Sequence, residues 1–530
     1  MANQSRRIYG IDLGTTYSSI AYADANGKPV VLPNSEQSAV TPSVVLFADG
    51  RILVGNAAKK RAWLHPDSVA SFIKRSVGEK DFLFFVGDRS YHAEEISAYI
   101  LRKLVQDAGR VTGDTVRDVV ITCPAYFGVN EREATRRAGE IAGLNVRRII
   151  NEPTAAAIAY GSAKPGKQRT ILVYDLGGGT FDITMIQVQN EVIEVICTGG
   201  DHNLGGKDWD DRIVTYLAEE YQNQTGTTED ILEDPKVWQA LQYLAEQAKK
   251  LLTKKESVDL PIKYAGKSAT ITLTRDKFDS LTSDLLERTV SLVHSMLAEA
   301  AKKGCGDFDE FILVGGSTRM IQVPKRLYEE FQKRPMSFEP EKAVAKGAAI
   351  LGHRIATGDS TASFTEVAGE NVGVSGAGGA RSAQKQARIR DVAAKSFGIL
   401  LKEDGDDEDV FNVILRNSPI PVRAKETFYT QAANQEGVKI RVVESETSDE
   451  WVSCVGVVEI GTAWLKLPPN LPAETPVVIT FELSEEGRLS ISAEESATGQ
   501  IVDVTIESAA VIGGTEFEEA KARGSSVVVE

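Results

Sequence analysis

The 530-residue sequence has few of the residues that staple or metallate a fold. Its four cysteines, Cys123, Cys197, Cys305 and Cys454, are scattered without a CxxC pair. They read as ordinary core thiols in a reducing compartment, so a cytoplasmic location is expected. The five histidines are equally dispersed and offer no zinc-ligand spacing. No run approaches the roughly eighteen apolar residues of a membrane-spanning helix. The opening Met1–Arg7 leads straight into a strand, with no apolar signal region behind Arg6 and Arg7. Positive charge is also short: 60 Lys and Arg against 75 Asp and Glu leave a net charge of −15, which argues against nucleic acid or an anionic membrane as the main partner. What is present is 42% hydrophobic and 25% charged residues in a chain too long for one core, so two or three globular domains are expected.

Tyr174–Thr184, read as strand, glycine turn and strand, is the stretch around which the chain is organised. Gly177, Gly178 and Gly179 let the backbone turn its N–H groups toward a phosphate chain, and Thr180 adds a hydroxyl. Asp175 and Asp182 would repel phosphate unless a divalent cation lay between them, so the pairing points to a magnesium nucleotide. Many such turns are merely turns, but a second copy, Ile11-Asp12-Leu13-Gly14-Thr15-Thr16-Tyr17, suggests two similar lobes facing one cleft.

Strand patterns over 7–13 and 18–23 flank this first turn. Lys74 follows beside apolar neighbours, and on spacing alone it reads as a solvated lysine at an element's end. Ile96, Ile100, Leu104 and Ala108 mark a helix face, and Asp118–Cys123 a buried strand. Asn130 with Glu133 forms a capping signature for a helix closed by Gly143, and Pro153 sits in the first turn of the next. The second lobe repeats this α/β plan. Its glycine turn Gly199–Asp208, which contains Gly205 and Gly206, precedes one helix, and a stripe from Leu241 to Leu252 marks another. Phe278 to Ala300 predicts a single long helix, and Phe311–Val314 opens into Gly315-Gly316-Ser317-Thr318-Arg319.

Taken together, Asp12–Thr16, Pro124–Phe127, Asn151–Ala157, Asp175–Asp182 and Val314–Arg319 resemble, in this order, the heat-shock protein 70 (DnaK-type) chaperones. The resemblance implies a two-lobed α/β actin-like ATPase domain with duplicated ribonuclease-H-like sheets over 1–357. A flexible linker over 358–390, an all-β sandwich that binds peptide over 391–508 and a short tail over 509–530 would follow. It implies ATP/ADP and Mg²⁺ as cofactors, with K⁺ beside Tyr17. Phosphates would be held by Gly14, Thr15, Thr16, Gly177, Gly178, Gly179 and Thr180, backed by Gly205 and Gly206. Asp12, Asp175 and Asp182 would hold hydrated metal. Lys74, Glu152, Asp175 and Thr180 would form the hydrolytic site. Glu246, Lys249, Lys250, Thr253, Gly315, Gly316, Ser317 and Arg319 would enclose ribose and base, and Pro124 and Arg132 would relay the nucleotide state. Asn203 and Glu341 depart from the family's usual histidine and aspartate.

From 391 onward short strand patterns dominate, as in a β-sandwich. The resemblance places Ile399, Phe428, Val438 and Ile440 in a pocket for an extended apolar peptide; without it they read equally as sandwich core. It also implies unfolded polypeptide clients, a J-domain co-chaperone and a nucleotide exchange factor. The 22 residues after Ser508 are fewer than the family's helical lid needs, so the lid is expected to be missing, with at most two helical turns near Glu516–Arg523 and rapid peptide exchange as the result. Before Asp391, Ile389 is the one large apolar side chain where the family carries several leucines. On apolar burial alone, ATP is expected to change peptide affinity less than about tenfold. Two other readings stand beside the chaperone: a small-molecule kinase on the same core, and a co-chaperone or scaffold that binds ATP without cycling.

Overall fold

The computed structural model describes residues 7–163, 168–189, 192–358, 389–402, 408–495, 499–504, 511–526 and 529–530. The fold is mixed α/β. Two sheets repeat one strand plan. In the first, Ile8–Asp12 pairs antiparallel with Tyr17–Ala23, which pairs with Pro29–Val31, while Asp118–Cys123 and Asn145–Asn151 continue in parallel on the other side. In the second, Arg169–Leu176 pairs antiparallel with Phe181–Gln189 and that with Val192–Asp201, while Glu310–Val314 and Met336–Ser337 continue in parallel. Helices Glu152–Ala163 and Ala343–Thr357 pack against each other between the sheets, in a core that joins Val120 and Ile150 to Val173 and Val314.

Local differences from the sequence expectations have physical causes. The helix beginning near Asn130 starts at Val129 with Gly128 at its N-cap, and Asn130 lies inside it, so the expected capping pair does not cap it. The stretch from 278 to 300 is two helices, Arg275–Leu281 and Ser283–Lys302. They break at Thr282, whose hydroxyl bonds back to Phe278 O at 2.9 Å.

Farther along the chain, a five-stranded sheet and a four-stranded sheet share one core. Phe397, Ile399, Ile440 and Val442 of the first meet Val477, Ile479, Phe481 and Ile491 of the second. The stretch expected as linker lies, from 359 to 388, outside the described residues. Residues 389 and 390 are a correction to that expectation: they belong to strand Ile389–Val392, which joins the two parts. It pairs parallel with Val192–Asp201 of the second lobe and antiparallel with Pro419–Ile420. Ile389 packs on the core between the sheets, and Arg390 lies 3.7 Å from Glu194.

The sandwich is docked on the two lobes by polar contacts. Arg136 meets Glu486 at 2.5 Å and Arg148 meets Glu485 at 3.0 Å. Thr198 N–H donates to Asn417 Oδ1, and Arg416 donates to Thr198 O, both at 3.0 Å. Residues 511–526 and 529–530 return to the first lobe, where the structure corrects the expected two helical turns to a helix, Gly514–Ser526. Ile512 and Ala520 pack there on Ala98 and Ile141, Arg523 reaches the buried Glu95, and Val529 bridges Ile52.

Candidate functional site

Asp175 and Asp182 are direct register partners on the strands that flank the glycine turn. That turn meets its first-lobe counterpart closely. A Cβ on Gly178 would fall 1.8 Å from Thr16 Oγ1, and one on Gly179 would fall 2.3 Å from Thr15 Cγ2, so glycine is required at both positions. The turn is braced from behind: Gly206 N–H donates to Gly177 O at 3.0 Å, Lys207 N–H to Gly178 O at 2.7 Å, and Ser317 Oγ to Gly177 O at 2.7 Å.

A cavity of about 960 Å³ opens between the lobes, at the upper end of the size range of small-molecule sites. Asp12, Gly14, Thr15, Thr16, Lys74, Glu152, Asp175, Gly177, Gly178 and Thr180 line one end. Tyr17, Glu246, Lys249, Lys250, Thr253, Gly315, Gly316, Ser317 and Arg319 line the other. Gly179, Gly205, Gly206 and Asp182 stand behind the wall, where Asp182 Oδ1 accepts from Ala125 N–H at 2.8 Å.

Lys74 is buried, not solvated, and is ion-paired to Glu152, which is also buried. Three more acids stand around this pair, Asp175 and Asp182 buried and Asp12 half-buried. Burial first, then the charge of Glu152, push Asp12 up to about 7 and hold Asp175 and Asp182 well above the ordinary carboxylate range. Burial opposes the charge on Lys74, but Glu152 and Asp12 outweigh it and raise the lysine. One lysine for four carboxylates leaves a site short of positive charge. Among the described residues no three acids stand close enough to hold an ion directly, so a cation here would be held through water or a ligand's own oxygens.

At the far end Glu246 is the hub. Burial acts against its charge, yet Lys59 and Lys250 pull it down to about 2. Tyr17 donates to Glu246 at 2.8 Å, and its ring is flanked by the ammonium groups of Lys59 and Lys250 at 4.9 and 4.7 Å. Lys249 is engaged elsewhere, donating to Gly206 O at 2.6 Å and pairing with Asp210 at 2.8 Å. Sequence reasoning missed Lys59, Asp210 and Arg75. Arg75 crosses the cleft to Asp208 at 2.6 Å and to Gly179 O at 2.8 Å.

In the sandwich Ile399 and Ile440 are buried core, while Phe428 and Val438 are half-buried at the border of the same cluster. Phe411 stacks edge-on against Phe428 at 6.2 Å.

The Hsp70 protein family matches residues 8–84 and 82–523 of this chain. The chain belongs to the Hsp70 family. The chaperone protein DnaK of Thermosipho africanus is 39% identical over 509 residues, covering 94% of this chain and 80% of that protein. DnaK of Thermotoga maritima is 40% identical over 511 residues with the same coverage, and DnaK of Halobacterium salinarum 38% over 523 residues, covering 97% and 77%. This Hsp70 is an ATP-dependent molecular chaperone and an ATPase, and ATP, ADP and Mg²⁺ are the cofactors that its family implies. Among the described residues no helix is long and apolar enough to cross a membrane.

Proposed function

We propose that this Hsp70 hydrolyses MgATP in the cleft between its actin-like lobes and binds extended apolar segments of unfolded polypeptides on its sandwich. The observation that carries the reading is the buried Lys74–Glu152 pair, ringed by Asp12, Asp175 and Asp182 beneath two touching glycine turns. Phosphoryl transfer to water needs positioning and charge neutralisation more than a protein nucleophile. Thr15, Thr16, Gly177, Gly178 and Thr180 would hold phosphates. The three aspartates would hold hydrated Mg²⁺, whose charge would lower their raised proton affinity and draw electron density from the terminal phosphate. Lys74, oriented by Glu152, would position the attacking water. The anionic floor beside Tyr17 suits K⁺. Glu246, Lys250, Thr253, Gly316 and Arg319 would enclose ribose and base.

Phe428 and Val438 would receive the peptide's side chain above Ile399 and Ile440. A J-domain protein and an exchange factor would be its co-chaperones. The free cysteines fit work in the cytoplasm. The sandwich favours this reading over the kinase, since phosphorylating a small molecule gives it no role. Steady-state ATP turnover should rise when an unfolded polypeptide and a J-domain protein are added together. Turnover that ignores both, with peptide binding absent, would remove the chaperone cycle from this reading.

The cross-cleft pair Lys59–Glu246 is mostly buried, but Lys250 still neutralises Glu246 when Lys59 is lost. The loss is therefore nearer to that of an exposed pair, about 1 kcal/mol, than to the roughly 3–5 kcal/mol of a buried charge left unpaired. Lys59→Ala should therefore speed ADP release about fivefold, read by displacement of a fluorescent nucleotide. An unchanged release rate would show that the pair does not hold the cleft closed.

A further inference from the structure

The sandwich supplies a cap that the first lobe lacks. Helix Val129–Ile141 has Gly128 at its N-cap and no side chain of its own bonded there. Glu444, from strand Gly437–Ser445, takes the position across the interface: its Oε1 accepts the Val129 N–H at 2.7 Å. The fit is close enough that a Cβ on Gly128 would lie 2.3 Å from Glu444 Oε2, and Glu444 is only 6% exposed. The first turn of the same helix carries Glu131, whose Oε2 is buried without a hydrogen-bond partner among the described residues.

Four groups face Glu444: the Val129 N–H, Glu131 and Arg132 from the helix, and Lys395 from the sandwich. Both cations are engaged elsewhere. Arg132 donates to Phe127 O at 2.9 Å and to Asn151 Oδ1 at 2.5 Å, and Lys395 pairs with Glu446 at 2.5 Å. The helix N-terminus favours a carboxylate. Burial and the charge of Glu131 outweigh it, and Glu444 is pushed up to about 7.

We propose that docking of the sandwich on the first lobe is proton-linked: the interface closes when the buried Glu444, which caps the helix and faces the charge of Glu131, holds a proton. Undocking returns Glu444 to water and to an ordinary value near 4.3. The docked state then binds one proton more than the undocked state between that value and about 7. Docking is therefore strongest in acid, weakens as pH rises through this window, and levels off above it. The inference depends on the docked arrangement alone and not on the residue roles proposed for the nucleotide cleft.

Hydrogen exchange on the full chain tests it, with a non-hydrolysable ATP analogue bound throughout. The readout is protection of the Val129 and Ile389–Val392 amides, corrected for intrinsic exchange. Protection should fall about tenfold between pH 6 and pH 8 in the natural protein. Glu444→Gln keeps an acceptor for Val129 and removes the titration, so its protection should be flat. Glu131→Gln removes the like charge but leaves the burial, which is the larger cause, and should reduce the change without abolishing it. A flat natural profile overturns the proposal, as does a tenfold change that persists in either variant.

Discussion

Lys74→Ala is expected to lower the single-turnover rate of ATP hydrolysis by about a hundred- to a thousandfold, with MgATP affinity nearly unchanged. The magnitude is that of removing one preorganised electrostatic donor, about 3–4 kcal/mol. Affinity should survive because the glycine turns, Thr15, Thr16 and the far end of the cleft stay in place. The rate should not, because among the described residues Lys74 is the one ammonium beside Asp12, Glu152, Asp175 and Asp182. Without it Glu152 has no cation to orient and its neighbours compete for protons. Equilibrium nucleotide titration beside rapid-quench turnover separates the two effects. A variant that turns over at the natural rate would remove Lys74 from the hydrolytic role.

The second large effect concerns communication between the lobes and the sandwich. Asp391 lies in the joining strand, where its carboxylate accepts from Asn151 Nδ2 at 2.9 Å and from Val392 N–H at 2.9 Å, with Thr154 Oγ1 at 3.5 Å. Burial nevertheless raises its proton affinity. Asp391→Ala would leave the Asn151 Nδ2 without this acceptor and remove a charged group from the joining strand. Losses of this kind cost about 1.5–3 kcal/mol. Protection of the Ile389–Val392 amides should then fall about ten- to a hundredfold, and the difference in peptide affinity between ATP and ADP should shrink with it. Asp391→Asn, which keeps the shape and one acceptor, should lose less. Natural protection in Asp391→Ala would assign the docking to the ion pairs of Arg136 and Arg148.

That prediction also revises the expectation of weak coupling. Judged by apolar burial, Ile389 alone is a poor adhesive. The structure adds what composition does not display: a strand paired on both sides, Arg390 beside Glu194, and two arginine–glutamate pairs that join residues more than three hundred positions apart. Local chemistry was readable wherever neighbours in sequence are neighbours in space. The hairpin 174–184 is such a case, since its turn sets Asp175 opposite Asp182. Lys74 is the opposite case. Its own neighbours suggest a solvated side chain, and its burial comes from Glu152 on a distant helix. Asn130 failed as a cap for the same reason, because the group that caps its helix belongs to the sandwich. Lys59 and Arg75 left no local trace, since their partners, Glu246 and Asp208, lie across the cleft.

The chain enters and leaves the sandwich through segments fastened to the lobes, strand Ile389–Val392 before it and residues 511–526 and 529–530 after it. A body tied at one end swings free when its contacts open. Tied at both ends, it stays close to its seat, and re-seating is a unimolecular event at a millimolar-scale local concentration of about the size a short tether provides. Opening of the interface should therefore be brief and frequent, a rattle within a sling, and full separation should wait for the rarer event in which both fastenings are loose together.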